Sequence, residues 1–414
     1  MKILVITQYF FPENFRVNDL VEGLVARGHQ VTVLTGQPNY PKGTFFEGYG
    51  WKGPREETLC GARVIRTRLL PRGKGGGLAL VANYFSFVLL ACFGVLFRLK
   101  KADGFEAVFV FEPSPITVGL PAALARKRFR IPVLFWVLDL WPESLVAVGA
   151  VRSKRILSAV DVLVRWIYAR SDRILVPSRA FVPQILRHGV PGEKIAFFPN
   201  WGEPVFEDVK PMEAPPDAAW PDGFRVLFAG NIGAAQDFPA VVEAATHLKD
   251  RGDIHWVIVG DGRMRAWAKD EVARRGLQTV HFLGQRPLEE MPALFQKADA
   301  LLLSLKADPV FSLTIPGKLQ SYLASGKPIL AMVEGEAARL VGESRAGLAC
   351  PAGDSAGLAA AVKHLVGQSA AERARMGEDG RRYFEKHFAR DVVLDSLDAM
   401  LAEAVRTCKM NRHE

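Results

Sequence analysis

Two short stretches constrain this chain more than any others: RVLFAGNIG at residues 225–233 and IHWVIVGDG at residues 254–262. Each is an apolar run that stops at a glycine-bracketed tight turn. That is the form of a buried parallel strand ending beneath a phosphate-bearing ligand. A lone G-N-I-G is also an ordinary turn after a strand, so the neighbouring sequence has to decide between the two.

The same alternation of apolar run and helical period fills the chain. Residues 2–7 read as a strand, 17–27 as an amphipathic helix and 30–34 as a second strand, a β-α-β unit. Between the first strand and its helix stands QYFFPENFR, Gln8 to Arg16, where a dinucleotide-binding fold carries G-x-G-x-x-G, so an NAD or FAD site is not expected. A loop at that place sits at the carboxyl end of the sheet, which makes Glu13 and Arg16 candidates for contact with an acceptor. The alternative for Glu13 is a simple interaction with the helix N-terminus. Further strands are expected at residues 107–111, 131–137, 174–177 and 195–198. Asp139 follows the second of these, where a carboxylate can orient or deprotonate an acceptor hydroxyl; it could equally cap the next helix.

Residues 204–223 are rich in Pro, Asp, Glu and Ala and read as a linker after a domain of residues 1–203. With 414 residues the chain has room for a second domain, placed at 224–388, and the strand-helix alternation resumes there. Its helix near residues 316–326 opens at Pro316 and closes at Gly326. Exposed amides at its start and Lys318 in its first turn would together attract a diphosphate; the bland reading of Lys318 is a solvated surface lysine. A last amphipathic helix within 389–414 is expected to pack back on the first domain.

Charge separates the halves. Residues 1–203 hold 27 Lys and Arg against 15 Asp and Glu, and the remainder holds 26 against 29, so the whole excess is N-terminal. Residues 78–97 are nearly all apolar, include Tyr84, Phe85, Phe87, Phe93 and Phe97, and are flanked by basic residues on both sides. This favours an anionic lipid surface over nucleic acid as the partner of the basic half. A buried core helix and a true membrane span are the alternatives; a span is disfavoured because the next strand must rejoin the same sheet. Four scattered cysteines give no metal or disulfide spacing, there is no D-x-D, and no cleavable signal peptide is expected before the first strand. A reducing cytoplasmic setting follows, with no metal and no cofactor expected.

The GNIG and GDG turns, the linker, and the run P-G-K-L-Q-S-Y-L-A-S-G-K-P at residues 316–328 together resemble the family 4 glycosyltransferases, particularly the bacterial L-fucosamine and colanic-acid-type transferases of surface-polysaccharide assembly. The resemblance implies an α/β chain of the GT-B fold, two Rossmann-like doubly wound domains facing a cleft. It implies a retaining, metal-independent transferase whose C-terminal domain holds a nucleotide-sugar donor. A polyprenyl-diphosphate-linked glycan would be the acceptor, bound by the N-terminal domain at the cytoplasmic face of the inner membrane. UDP is taken as the nucleotide and N-acetyl-L-fucosamine as the sugar. Carried onto this sequence, Gly230, Asn231 and Gly233 would approach the donor phosphates, Gly260 and Gly262 would lie below the nucleotide, and Gly284 to Arg286 near its base. Pro316, Lys318 and Ser321 would line the same site, with Asp139, Glu13 and Lys318 as the catalytic set.

Two departures stand out. Leu313 and Ser321 occupy positions where many relatives carry glutamates, and Ala234-Ala235-Gln236-Asp237 replaces the usual Arg and Lys after the first glycine turn. Lys318 and Arg263 are the expected substitutes for that lost charge. Competing functions are a nucleotide-sugar epimerase of GT-B-like fold and a non-catalytic membrane-bound nucleotide-sugar binder. The apolar segment argues against the first, and turnover would exclude the second.

Overall fold

The structure, a computed structural model, describes residues 1–74, 76–147, 149, 151, 153–206 and 220–411. It divides into two compact units: unit 1 is Met1–Pro199 with the chain from Leu394 onward, and unit 2 is Asn200–Val393. Most of the expected linker, residues 207–219, lies outside the described residues. The division at Pro199 falls just ahead of it.

Unit 1 is built on eight strands: β1 (Lys2–Ile6), β2 (Gln30–Gly36), β3 (Glu56–Leu59), β4 (Ala62–Thr67), β5 (Ala107–Glu112), β6 (Val133–Val137), β7 (Arg173–Val176) and β8 (Ile195–Phe197). Their order is β3-β4-β2-β1-β5-β6-β7-β8, parallel throughout except for the β3-β4 hairpin. Strands covered on both faces must be apolar along their length, and AVFVFE of β5 and VLFWV of β6 are buried at every residue. The helices are α1 (Arg16–Ala26), α2 (Gly77–Phe93), α3 (Gly119–Phe129), α4 (Glu143–Ala147), α5 (Lys154–Ala169) and α6 (Val182–Arg187). The chain winds outward through β2 and β4, then returns to lay β5 beside β1. The loops after β1 and β5 therefore open the crevice of this sheet.

The apolar segment forms α2 and a π-helical turn over Gly94–Arg98. One face of α2 packs on β2, β4 and α3. Phe87 is completely buried in that interface, and Asn83 is buried beside it. This corrects the expectation for Phe87, whose ring belongs to the core. Tyr84 is half-buried and turned toward Arg72, whose guanidinium stands 5.9 Å from its ring. Phe85, Phe93 and Phe97 remain 50–67% exposed. The segment is thus half core helix and half open apolar face.

Unit 2 contains β9 (Phe224–Ala229), α7 (Phe238–His247), β10 (Ile254–Val259), α8 (Arg265–Arg275), β11 (Val280–Gly284), α9 (Met291–Lys297) and β12 (Ala300–Ser304). After these come α10 (Pro309–Leu313), α11 (Gly317–Ala324), β13 (Ile329–Met332), α12 (Gly335–Ser344), β14 (Gly347–Cys350), α13 (Ser355–Gly367) and α14 (Ala370–His387). The order β11-β10-β9-β12-β13-β14 is wholly parallel and reverses between β9 and β12. The final helix, α15 (Arg390–Met410), belongs to unit 1 from Leu394 onward, where Asp395 and Asp398 pair with Arg27 and His29.

Candidate functional site

The reversal between β9 and β12 leaves the crevice of unit 2 at the carboxyl end of β9, which is where the chain passes through Gly230-Asn231-Ile232-Gly233. The turn after β10, Gly260-Asp261-Gly262, packs directly on it. The Ile232 amide donates to the Asp261 carbonyl at 2.8 Å, and the Met264 amide to the Ile232 carbonyl at 2.9 Å. Contact this close needs glycine: a Cβ on Gly260 would stand 1.9 Å from the Gly230 carbonyl oxygen, and one on Gly262 would stand 2.4 Å from that of Ile232. Gly260 also holds φ at +136°, where a side chain is strained.

Helix α11 brings the charge. The hydroxyl of fully buried Tyr322 accepts from the Ala229 amide at 3.2 Å and lies 3.3 Å from the Leu302 carbonyl, which pins the helix to the ends of β9 and β12. Lys318 sits one turn earlier on the same helical face. Its Nζ lies 3.9 Å from the centroid of the Phe228 ring, and its stem fills the space a Cβ on Gly230 would need, 2.5 Å from Cε and 2.8 Å from Nζ. Among the described residues no carboxylate pairs with it. Burial pulls the ammonium from its ordinary 10.5 down to about 7. An unpaired cation pressed against a glycine turn is half of an ion pair whose other half is an incoming anion.

Beside this turn opens a cavity of about 420 Å³, within the range of small-molecule sites. Gly230, Asn231 and Gly260 form its floor, and Gln285 and Arg286 one side. Val259, Leu288 and Met291 supply an apolar wall against which a flat base can lie, and the Asp261 carboxylate adds an acceptor. Arg286 lies 3.7 Å from Glu290, which keeps its guanidinium at the rim.

Four of the expected donor residues, Gly230, Asn231, Gly260 and Arg286, therefore come together around one space. Gly233 and Gly262 act at one remove by allowing the turns to pack. Pro316 is the N-cap of α11, and Ser321 is buried within that helix. Arg263 is exposed and does not line the cavity; Arg265, the first residue of α8, instead reaches to 4.0 Å from Asp261. Three backbone amides of the two turns already have acceptors within the protein. The Gly230 amide donates to Val259 at 2.9 Å, that of Gly233 to the Gln236 side chain at 3.2 Å, and that of Gly260 to Gly284 at 2.7 Å. Those three donors are satisfied before any ligand arrives. Lys318, Arg286 and the Gly317 and Lys318 amides at the start of α11 are placed to meet an anion, the Leu319 amide already donating to the Pro316 carbonyl at 2.9 Å.

In unit 1 the two acidic candidates differ. Glu13 is 2% exposed, and its carboxylate accepts from the amides of Phe10 (3.2 Å), Asn39 (2.8 Å) and Tyr40 (2.7 Å). Burial raises it to about 7 in spite of those bonds. Arg66, fully buried, holds the same loop through the Phe11 carbonyl at 2.5 Å. Glu13 thus shapes the loop after β1, and its oxygens are already occupied. Arg16 approaches Asp19 at 3.9 Å. Asp139 follows β6 half-buried, accepting from Trp141 Nε1 at 3.1 Å and from the Ser144 hydroxyl, with its carboxyl raised by burial. Beside it is a residue the sequence did not single out: Glu112, the last residue of β5, is completely buried with neither carboxyl oxygen hydrogen-bonded. Burial and the Asp139 charge push its carboxyl well above the usual carboxylate range. An acid ending a strand of buried apolar residues was the signal available. Among the described residues no three His, Cys, Asp or Glu side chains converge to hold a metal ion.

Comparison with known proteins identifies both units. Residues 14–201 match the Glycosyl transferase 4-like domain, and residues 223–368 match Glycosyl transferases group 1. The colanic acid biosynthesis glycosyl transferase WcaI of Escherichia coli K12 is 29% identical over 79% of this chain and 82% of its own. The GDP-mannose-dependent alpha-mannosyltransferase of Mycobacterium tuberculosis is 26% identical over 88% of each chain. Among solved structures, HepE of Anabaena, determined with UDP and glucose, superposes with a TM-score of 0.63 at 16% identity, covering 97% of this chain and 99% of that one. With a matching domain on each unit and two doubly wound sheets beneath them, the chain belongs to the family 4 glycosyltransferases, enzymes of the GT-B fold.

Proposed function

We propose that this glycosyltransferase moves a sugar from a nucleotide-diphosphate donor to a lipid-linked glycan in surface-polysaccharide assembly, with UDP as the nucleotide and N-acetyl-L-fucosamine as the sugar. The observation that carries the donor reading is Lys318, an unpaired ammonium held against Gly230, which itself lines the cavity. The base lies along Leu288 and Met291, the ribose hydroxyls donate to Asp261, and the diphosphate spans Gly230 and the start of α11. The polysaccharide setting is supported by the similarity to WcaI.

In the reaction the bond from the anomeric carbon to the diphosphate oxygen breaks, and its electron pair stays on the diphosphate. Lys318 and the α11 amides stabilise that growing charge more in the transition state than in the ground state, which is leaving-group catalysis. The sugar passes through an oxocarbenium-like state. The acceptor oxygen bonds on the same face, retaining configuration, while its proton passes to the departing diphosphate. Asp139 positions the acceptor hydroxyl, Glu13 holds the loop beside it, and no metal is required.

The lipid-linked acceptor is met at the cytoplasmic face of the inner membrane. Leu78, Val81, Phe85, Leu89, Phe93 and Phe97 are exposed at helical spacing along α2 and its π turn, with Arg72 and Lys74 before them and Arg98 to Lys101 after. An apolar stripe with basic ends lies in the headgroup plane and inserts its aromatic side. The test is a panel of UDP- and GDP-sugars incubated with the enzyme and extracted lipid-linked saccharides. Mass spectrometry should find an acceptor one glycosyl unit heavier with one UDP-sugar. Conversion of the donor without acceptor would defeat the proposal.

A further inference from the structure

Where the exposed stripe of α2 ends, the surface carries a second, smaller cavity of about 140 Å³ lined by Arg55, Thr67, Arg68, Leu90, Phe93 and Arg98. Its composition is unusual for a surface dimple: three guanidiniums over two apolar side chains. Arg98 is locked, with its guanidinium donating to the carbonyls of Arg66 at 2.8 Å and Arg55 at 2.6 Å. Arg55 and Arg68 are exposed, and among the described residues neither has a carboxylate within ion-pair distance. The nearest acid in sequence, Glu56, is drawn to Arg63 at 2.6 Å and stands 3.9 Å from Arg98. Burial and the positive charges of Arg55 and Arg63 depress the Arg98 guanidinium, so the cluster repels itself. Three arginines gathered with too little negative charge favour a multivalent anion, and the fork of each suits phosphate oxygens.

The apolar floor narrows the choice of anion. Phe93 lies both in this cavity and on the exposed stripe, and its ring meets that of Phe97 at 4.5 Å. A free inorganic phosphate gains nothing from such a floor. A phospholipid satisfies both parts, with its phosphate among the guanidiniums and the upper methylenes of its acyl chains against Leu90 and Phe93.

We propose that Arg55, Arg68 and Arg98 form a headgroup-phosphate site for an anionic phospholipid, which anchors one end of α2 and sets its orientation on the membrane. The inference rests on the membrane-docking reading of α2 and adds a selective lipid contact to it. The contact is stoichiometric: one headgroup at the cavity, in addition to the diffuse attraction of the basic surface.

Flotation of the full chain on vesicles tests it, using phosphatidylcholine alone and phosphatidylcholine with phosphatidylglycerol. Arg55→Gln/Arg68→Gln removes the two exposed guanidiniums and leaves Arg98 in place to hold its carbonyls. Lys100→Gln/Lys101→Gln removes the same charge from neighbouring surface. At about fivefold in partitioning per basic residue near an anionic surface, a diffuse field alone would cost either pair up to roughly thirtyfold; the arginine pair should weaken binding to the phosphatidylglycerol vesicles by more than that and leave binding to phosphatidylcholine unchanged. The lysine pair should lose clearly less. Equal losses for the two pairs would show a diffuse field and overturn the site, as would wild-type flotation by the arginine variant. Inorganic phosphate at constant ionic strength should not displace the wild type, and displacement would assign the cavity to the free ion. Phe85→Ser/Leu89→Ser/Phe97→Ser should lose both vesicle types; if it floats normally, the docking reading fails, and the arginine result is then judged by itself.

Discussion

Replacing Lys318 by methionine should make the protein more stable and the enzyme much worse. Methionine keeps the unbranched stem over Phe228 and beside Gly230 but removes an amine that burial holds near 7. In the unfolded chain that amine keeps its proton up to its ordinary 10.5; in the folded chain it loses it at about 7. Folding therefore sheds a proton between those values, so the penalty is fully present below about pH 7 and fades as pH rises toward 10.5. The displacement sets a ceiling of roughly 5 kcal/mol, and solvent reaching this half-buried side chain reduces the gain to about 2 kcal/mol. Urea unfolding at about pH 6 and about pH 9 should show the variant more stable at both, with the smaller advantage at the higher pH. Against that gain, UDP should bind about 10- to 100-fold more weakly, the worth of one charge-assisted bond. Turnover should fall about 10²- to 10³-fold, because the lost interaction grows in the transition state. Wild-type UDP affinity should decline as pH rises above about 7 while the variant stays flat. A variant that is less stable, or that binds UDP as the wild type does, would refute the argument.

Lys327, whose Nζ donates to the Gln296 carbonyl at 2.8 Å outside the donor cavity, should tolerate the same change with turnover reduced less than about threefold in a steady-state assay. Gly260→Ala should lower stability by at least about 2 kcal/mol in denaturant titration, since its Cβ meets a carbonyl oxygen and its φ is positive. Glu13→Gln turns an NH₂ toward a backbone amide and should lose about 1–3 kcal/mol of stability. Asp139→Asn should leave UDP affinity intact and depress transfer, which binding and rate measurements together will separate. Phe87→Ser should destabilise unit 1 by about 3 kcal/mol or more, whereas Phe85→Ser should cost little stability and weaken vesicle binding, a contrast that thermal unfolding and flotation resolve.

The strands were legible because parallel strands buried on both faces must be continuous apolar runs, and LLLS at β12 or IHWVIV at β10 has few other uses. The GNIG and GDG turns were legible because glycine is required where two turns touch. The sequence could not show that their packing would consume their own amides, since that depends on the register between β9, β10 and β11. Lys318 could be proposed from its place in a first turn, but its partnerless state depends on Tyr322 docking the helix onto Ala229. The apolar segment misled at Phe87 because composition does not reveal which face of a uniformly apolar helix meets a sheet; buried Asn83, donating to the Leu70 carbonyl at 2.5 Å, marks that face only in hindsight. Arg263 lies just ahead of α8, exposed and away from the cavity, a placement that residue type alone does not reveal. Helices α12 to α14 were not anticipated, their sequence offering mixed small and charged residues with weaker periodicity.

The donor diphosphate is expected at the Gly230 turn, paired with the Lys318 ammonium. A structure of the chain with a nucleoside diphosphate bound tests it most directly. A phosphate oxygen should lie about 2.7–3.2 Å from Lys318 Nζ, with the base against Leu288 and Met291. A diphosphate bound instead in a different cavity of unit 2, beside Lys327 and Arg373, with Lys318 still unpaired, would contradict it.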